Sequence, residues 1–168
     1  MLRGAAVFED EVVSELLDAR LVGVLSTYDA ADFIHSTPMW YARDGGSVIL
    51  ATSSRSRKVR NLAADGRATL VLHDSRAGYE VCGASIAGTV EIVRPPAARP
   101  LVDLVHGRYV AVDAAEDEHV LAYLESDDVA LRLSPSTALT WDERESVAAQ
   151  VVRARGWAFP LAPTEPRS

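Results

Sequence analysis

Apolar positions change period along the chain, and the changes mark its elements. From Phe8 to Arg20, Phe8, Val12, Val13, Leu16, Leu17 and Ala19 share one stripe at helical spacing, with acids gathered early, which predicts an amphipathic helix. Leu21 to Thr27 is a short apolar run ending in hydroxyls and reads as a strand; Tyr28 to Asp32 is a turn. Phe33 to Arg43 is a second strand, Asp44-Gly45-Gly46 a hairpin signal, and Ser47 to Ser53 a third strand, the three reading as a meander. Ser54 or Ser56 is placed to cap a short helix running to about Ala64, with Val59, Leu62 and Ala63 facing a core.

Beyond Asp65-Gly66, Arg67 to His73 reads as a fourth strand and Tyr79 to Val93 as a long fifth. Gly83 and Gly88 within the fifth suggest bulges or barrel corners. Arg94-Pro95-Pro96 ends it, and the spacing turns helical over 97–108 and 115–124. Alternation returns from Asp128 to Thr140, with Val129, Leu131 and Leu133 on one face and Trp141 closing the strand. Glu143 to Arg155 reads as a helix. Six strands with small helices and no βαβ alternation predict a mainly β, α+β barrel. Residues 1–156 are read as one domain and 157–168 as a C-terminal tail.

Composition narrows the class. A chain of 168 residues can bury a core without disulfides or metal. No apolar run approaches a membrane span, and Glu9, Asp10 and Glu11 interrupt the start, unlike a signal peptide. Cys82 is the only cysteine, so no internal disulfide forms; it reads as a small buried hydrophobe, and the cytoplasm is the expected compartment. A net charge of −7 argues against broad nucleic-acid binding.

Against that acidic balance, 55–60 carries four cations: Arg55, Arg57, Lys58 and Arg60. No acid occurs between Asp44 and Asp65, and Lys58 is the only lysine in the chain. Thr52, Ser53, Ser54 and Ser56 add hydroxyl donors, and a helix starting there adds free N–H groups. A strand end, hydroxyls, clustered cations and a helix start together make a phosphate cradle, although neither Gly-rich nucleotide motif is present.

The run Pro38-Met39-Trp40-Tyr41, Asp44-Gly45-Gly46, Thr52, Ser56-Arg57-Lys58, Asn61-Leu62 and Asp65-Gly66-Arg67-Ala68-Thr69-Leu70-Val71-Leu72-His73-Asp74 resembles the pyridoxamine-phosphate-oxidase-like split-barrel superfamily, and most closely its flavin/deazaflavin oxidoreductases. Residues 10–94 carry the likeness; 95–127 match nothing recognised. The resemblance implies a six-stranded antiparallel split barrel of the FMN-binding type. It implies a homodimer, with F420 (first choice) or FMN held between the chains. Pro38, Met39 and Trp40 would lie along the ring, Thr52 and Ser53 on the ribityl or phosphate part, and Arg55, Arg57 and Lys58 on the phosphate, with Asn61 nearby. The cation surplus, Arg60 included, suits the acidic tail of F420. The end at Trp157 to Pro160 departs from true pyridoxamine-phosphate oxidases, which speaks against a vitamin B6 substrate.

The resulting expectation is an oxidoreductase passing a hydride to an unsaturated or conjugated organic substrate. Its pocket would be walled by His35, Trp40 and 95–127. His35 is the candidate catalytic residue. His73, His106 and His119 lack ligand spacing, so no metal site is expected. Tyr79 and Tyr109 are candidate cavity residues better read as packing, and Trp40 and Trp141 are expected against cofactor or partner chain. The rival class is a non-catalytic protein storing flavin, deazaflavin or haem. A regulatory module is the third reading, disfavoured by the charge and the lack of a helix-turn-helix pattern.

Overall fold

Period-two alternation builds most of the molecule. The computed structural model describes residues 1–75 and 81–157. In chain order it comprises β1 (Leu2–Arg3), α1 (Glu11–Asp18), β2 (Gly23–Tyr28), β3 (Ile34–Met39), β4 (Tyr41–Asp44), β5 (Ser47–Ser53) and α2 (Arg57–Ala64). There follow β6 (Arg67–Ser75), β7 (Val81–Val93), α3 (Arg99–Tyr109), α4 (Glu118–Leu124), β8 (Asp128–Asp142) and α5 (Val147–Arg155). The expected helix over 8–20 begins later, at Glu11, because the Asp10 carboxylate caps it by accepting from the Val13 N–H.

The strands pair antiparallel in the order β3-β2-β6-β7-β8-β5-β4, with β1 beside β8. The two ends of that order are consecutive in sequence, separated by Trp40 alone. The sheet therefore curls until one stretch, 34–44, supplies both of its edges, and Trp40 is the seam. The single strand expected over 33–43 is thus broken: β3 pairs with β2, and β4 pairs with β5. Pro38 has no N–H to donate, so the first half suits an edge. Taking 34–44 as one bent strand recovers the six expected strands, to which β1 is an unforeseen addition.

Alternation places side chains on two cores. Val129, Leu131 and Leu133 of β8 and Val48 and Leu50 of β5 point inward, where Leu16 and Leu17 of α1 join them. Ala130 and Ile49, between them, point outward and meet Ala98, Val102 and Val105 beside and within α3. Each valine fully buried there contributes about 1.5–3 kcal/mol relative to exposure. The unrecognised region thus covers the outer face of β4, β5 and β8, next to Trp40.

Of the two glycines expected at irregularities, Gly88 sits at one: register shifts between Ala87 and Gly88 against β8, and a Cβ there would come 2.1 Å from the Ser134 carbonyl oxygen. Gly83 serves instead as the floor under the Trp141 ring, where a Cβ would meet ring carbon at 2.1 Å. Cys82 is buried, as expected, and burial pushes its thiol pKa up. Among the described residues no helix is long and apolar enough to cross a membrane.

Candidate functional site

A cavity of 610 Å³ opens at the barrel seam. Its wall along the chain break is Pro38, Met39 and Trp40; the end of β5 gives Thr52 and Ser53, and the first turn of α2 gives Lys58. The opposite side comes from the region without a recognised pattern: Val105 and His106 of α3 and Tyr123 of α4. Asp128, first residue of β8, also lines it.

Lys58 defines one end. Its ammonium donates to Thr52 Oγ1 at 3.2 Å, and among the described residues no carboxylate pairs with it. Partial burial lowers its pKa from the ordinary lysine value. A half-desolvated cation lacking an anion is an incomplete pair, which an anionic ligand would complete. Ser53 Oγ accepts from the Arg55 N–H at 3.3 Å, and Ser56 holds the N-cap position of α2 with its hydroxyl buried and unpartnered.

The other end is aromatic and acidic. Trp40 stacks on Tyr109 with centroids 5.0 Å apart and planes 1° apart, and the Tyr109 hydroxyl donates to the Leu21 carbonyl at 2.7 Å. His106 meets Trp40 edge-on at 6.5 Å and Tyr123 at 5.4 Å. Its Nε2 lies 3.6 Å from Asp128 Oδ2, its Nδ1 has no partner, and the residue is 4% exposed. Burial lowers its pKa, opposed by Asp128 and then Asp103, while Arg99 adds to the lowering.

Six of the nine expected cofactor residues therefore line one cavity: Pro38, Met39, Trp40, Thr52, Ser53 and Lys58. Three do not. Arg55 is exposed outside it, and Arg57 pairs with Asp29 from the turn after β2. Asn61 is on the buried face of α2, where its Nδ2 donates to Thr27 Oγ1 at 3.0 Å and ties helix to barrel. The absence of acids between 44 and 65 did not mean isolation, since Asp29 and Asp127 reach Arg57 and Ser54 from elsewhere in the chain.

His35 faces Thr27 on β3, half-buried, and is not among the cavity residues. Trp141 lies over Gly83. Tyr109 packs under Trp40, as favoured, and Tyr79 lies outside the described residues. His106 was passed over because it lacked ligand spacing. Its signal was helical: Val102, Val105, His106 and Tyr109 fall at i, i+3, i+4 and i+7, one inward stripe. Among the described residues no cluster could hold a metal ion.

The family model for pyridoxamine 5'-phosphate oxidase matches residues 9–156.

The chain belongs to the pyridoxamine 5'-phosphate oxidase family.

This is a group of flavin-binding oxidoreductases with the split-barrel fold. The match runs through 95–127, the stretch unrecognised in the sequence. Among solved structures, the conserved hypothetical protein Rv2991 from Mycobacterium tuberculosis is 27% identical, with a TM-score of 0.68, covering 80% of this chain and 86% of that one. An F420 reductase is 23% identical with a TM-score of 0.57, covering 75% and 94%. The haem storage protein HutZ from Vibrio cholerae is 13% identical with a TM-score of 0.60, covering 78% and 92%. The last two likenesses are of fold alone. No curated protein matches the chain.

Proposed function

We propose that this protein is a cytoplasmic oxidoreductase that holds F420, or FMN in its place, at the barrel seam and passes a hydride to an unsaturated or conjugated organic substrate. The observation that carries this is the pairing, in one cavity, of Lys58 without a carboxylate partner and the Pro38-Met39-Trp40 wall. A phosphate on Lys58, Thr52 and Ser53 leaves a flat ring the length of that wall to lie against. When bound, the cofactor supplies the hydride; the chain binds it, orients it and excludes water. Arg55 and Arg60 also lack carboxylate partners among the described residues, which favours a ligand with further acidic groups, hence F420 first.

Residues 1–156 act as one domain in this reading, and a second copy completes the site. The outward residues of β2 and β3 are uncharged and partly apolar, with Val24 opposite Pro38 and Tyr28 opposite Ile34. Val24, Ile34 and neighbouring Phe33 are exposed, a surface suited to burial between two chains. Ile34→Glu is expected to turn a dimer into a monomer in sedimentation velocity; an unchanged state would remove this face from consideration.

Titration of the protein with F420 and with FMN, followed by quenching of tryptophan fluorescence, tests the main reading. Micromolar or tighter binding of either supports it, and F420 preference selects the deazaflavin. Failure of both, with haem binding instead, supports storage, for which the buried His106 imidazole is the iron-ligand candidate.

A further inference from the structure

The cavity holds a carboxylate that the chain leaves without a counter-charge. Asp128, the first residue of β8, lines the cavity and is only 9% exposed. Among the described residues the basic group that approaches it is His106, whose Nε2 lies 3.6 Å from Oδ2, too far for a hydrogen bond. Burial lowers the His106 pKa, so the imidazole is neutral at neutral pH and supplies no positive charge. The nearby cations are engaged elsewhere: Arg99 pairs with Asp103 and donates to the Leu124 carbonyl, and Lys58 donates to Thr52. Alternation also keeps Lys58 apart from Asp128. Asp128 shares the outward face of β8 with Ala130, whereas Thr52, which holds Lys58, lies opposite the inward Val129. A buried carboxylate without a partner costs free energy that an asparagine of the same shape would not.

Beside this carboxylate the cavity is aromatic. The Trp40 and Tyr123 rings meet at 83° with centroids 6.4 Å apart, and both residues line the cavity, forming a corner. The Asp128 charge reaches across it: after burial, it is the second cause raising the Tyr123 pKa. Ring faces attract a cation within about 6 Å of the centroid, and a desolvated carboxylate attracts the same group. A neutral ligand satisfies neither, and an anion is repelled by both.

We propose that the corner of Asp128, Trp40 and Tyr123 binds an organic ammonium group, so that the substrate carries a protonated or quaternary amine. The proposal rests on the cavity being the substrate site of the proposed reaction and deepens that reading by naming a charged group of the substrate. Lys58 and Asp128 serve opposite faces of the β5–β8 ladder. An anionic cofactor and a cationic substrate are therefore held in one cavity without competing for a partner.

The test titrates the full chain, free of cofactor, with benzylammonium and with benzyl alcohol, a neutral probe of nearly the same shape. NMR of the indole N–H signals reports binding, the Trp40 signal being assigned with Trp40→Phe. Benzylammonium is expected to bind about tenfold more tightly than the alcohol, or about 1.4 kcal/mol, and to shift the Trp40 signal. In Asp128→Asn the two probes are expected to bind within about twofold of each other. Its thermal melt near neutral pH is expected to stay at or above the parent's, because a desolvated charge has been removed. Tyr123→Leu is expected to weaken benzylammonium about two- to fivefold and to leave the alcohol within about twofold. Equal affinities in the parent, or a preference that survives in Asp128→Asn, would overturn the proposal. So would a clearly destabilised Asp128→Asn, which would make the carboxylate a structural partner of His106. The cofactor titration is independent of these probes. A chain that binds F420 or FMN without an ammonium preference loses this site alone; one that prefers ammonium but binds neither cofactor keeps the site and loses the oxidoreductase reading.

Discussion

Lys58→Met removes the charge at one end of the cavity while keeping an unbranched side chain of similar length. The ammonium has one polar partner among the described residues, the Thr52 hydroxyl, so its removal strips little from the protein itself. A cofactor phosphate loses a charge-assisted hydrogen bond worth about 1.5–3 kcal/mol, a weakening of about 10- to 150-fold in Kd. Tryptophan quenching with F420 and FMN measures it, alongside thermal melts to show that the variant is folded. Arg57→Ala is the matched control: its guanidinium pairs with Asp29 outside the cavity, and its loss is expected to change Kd by no more than about threefold. Burial lowers the Lys58 pKa, so cofactor affinity in the parent falls once pH rises through that lowered value, and the variant lacks this limb. Binding by Lys58→Met within about twofold of the parent, or a larger loss in Arg57→Ala, would refute the assignment of the anion site.

Three further outcomes concern the scaffold. Asn61→Ala removes the buried bond to Thr27 and is expected to cost about 1–3 kcal/mol in urea denaturation with cofactor absent; an unchanged midpoint would contradict its tying role. Gly88→Ala drives a Cβ into the Ser134 carbonyl at the β7–β8 bulge, where backbone must shift, at about 1–3 kcal/mol by the same assay; a parent-like curve would mean the bulge yields freely. Burial lowers the His106 pKa, so the folded state binds fewer protons there than the unfolded chain. The resulting destabilisation is absent well above the unfolded value of 6.5 and grows as pH falls below it through the folded pKa. The difference in denaturation midpoint between parent and His106→Gln is therefore expected to be independent of pH well above 6.5, and the parent is expected to lose stability more steeply than the variant as pH falls below it.

Most strands were legible because their larger apolar side chains alternate, even in β8, where both faces are covered. Val129, Leu131 and Leu133 marked β8, and the two-residue turn at Gly45-Gly46 marked the β4–β5 hairpin. The break at Trp40 was not legible, since 33–43 remains β-like throughout and only the pairing partners change. Cavity residues were legible where they were local. Pro38 to Trp40, Thr52, Ser53 and Lys58 lie within 21 positions, and all of them line the cavity. Arg57 and Asn61 lie off this cavity because their partners, Asp29 and Thr27, arrive from β2 and its turn, which spacing does not report. His106 and Asp128 were missed for the same reason: neither is distinctive until α3 folds over β8.

That folding-over connects fold to chemistry. In a sheet with free edges, 34–44 would be a plain strand with Trp40 on its surface. Closure brings both edges to Trp40, and the seam leaves a gap that neither edge fills. Helix α2 enters after β5 and sets Lys58 at one end of the gap; α3 packs on the outer faces of β4, β5 and β8 and sets His106 at the other. The region without a recognisable pattern is therefore the wall that differs in chemistry from the Pro38-Met39-Trp40 wall, and in the proposed function substrate selectivity would lie in its residues. Changes to Val105 or Tyr123, which touch the cavity without joining Lys58, should alter which acceptors are reduced while leaving cofactor affinity near the parent's. The cation end and the His–Asp end are separable because different elements carry them.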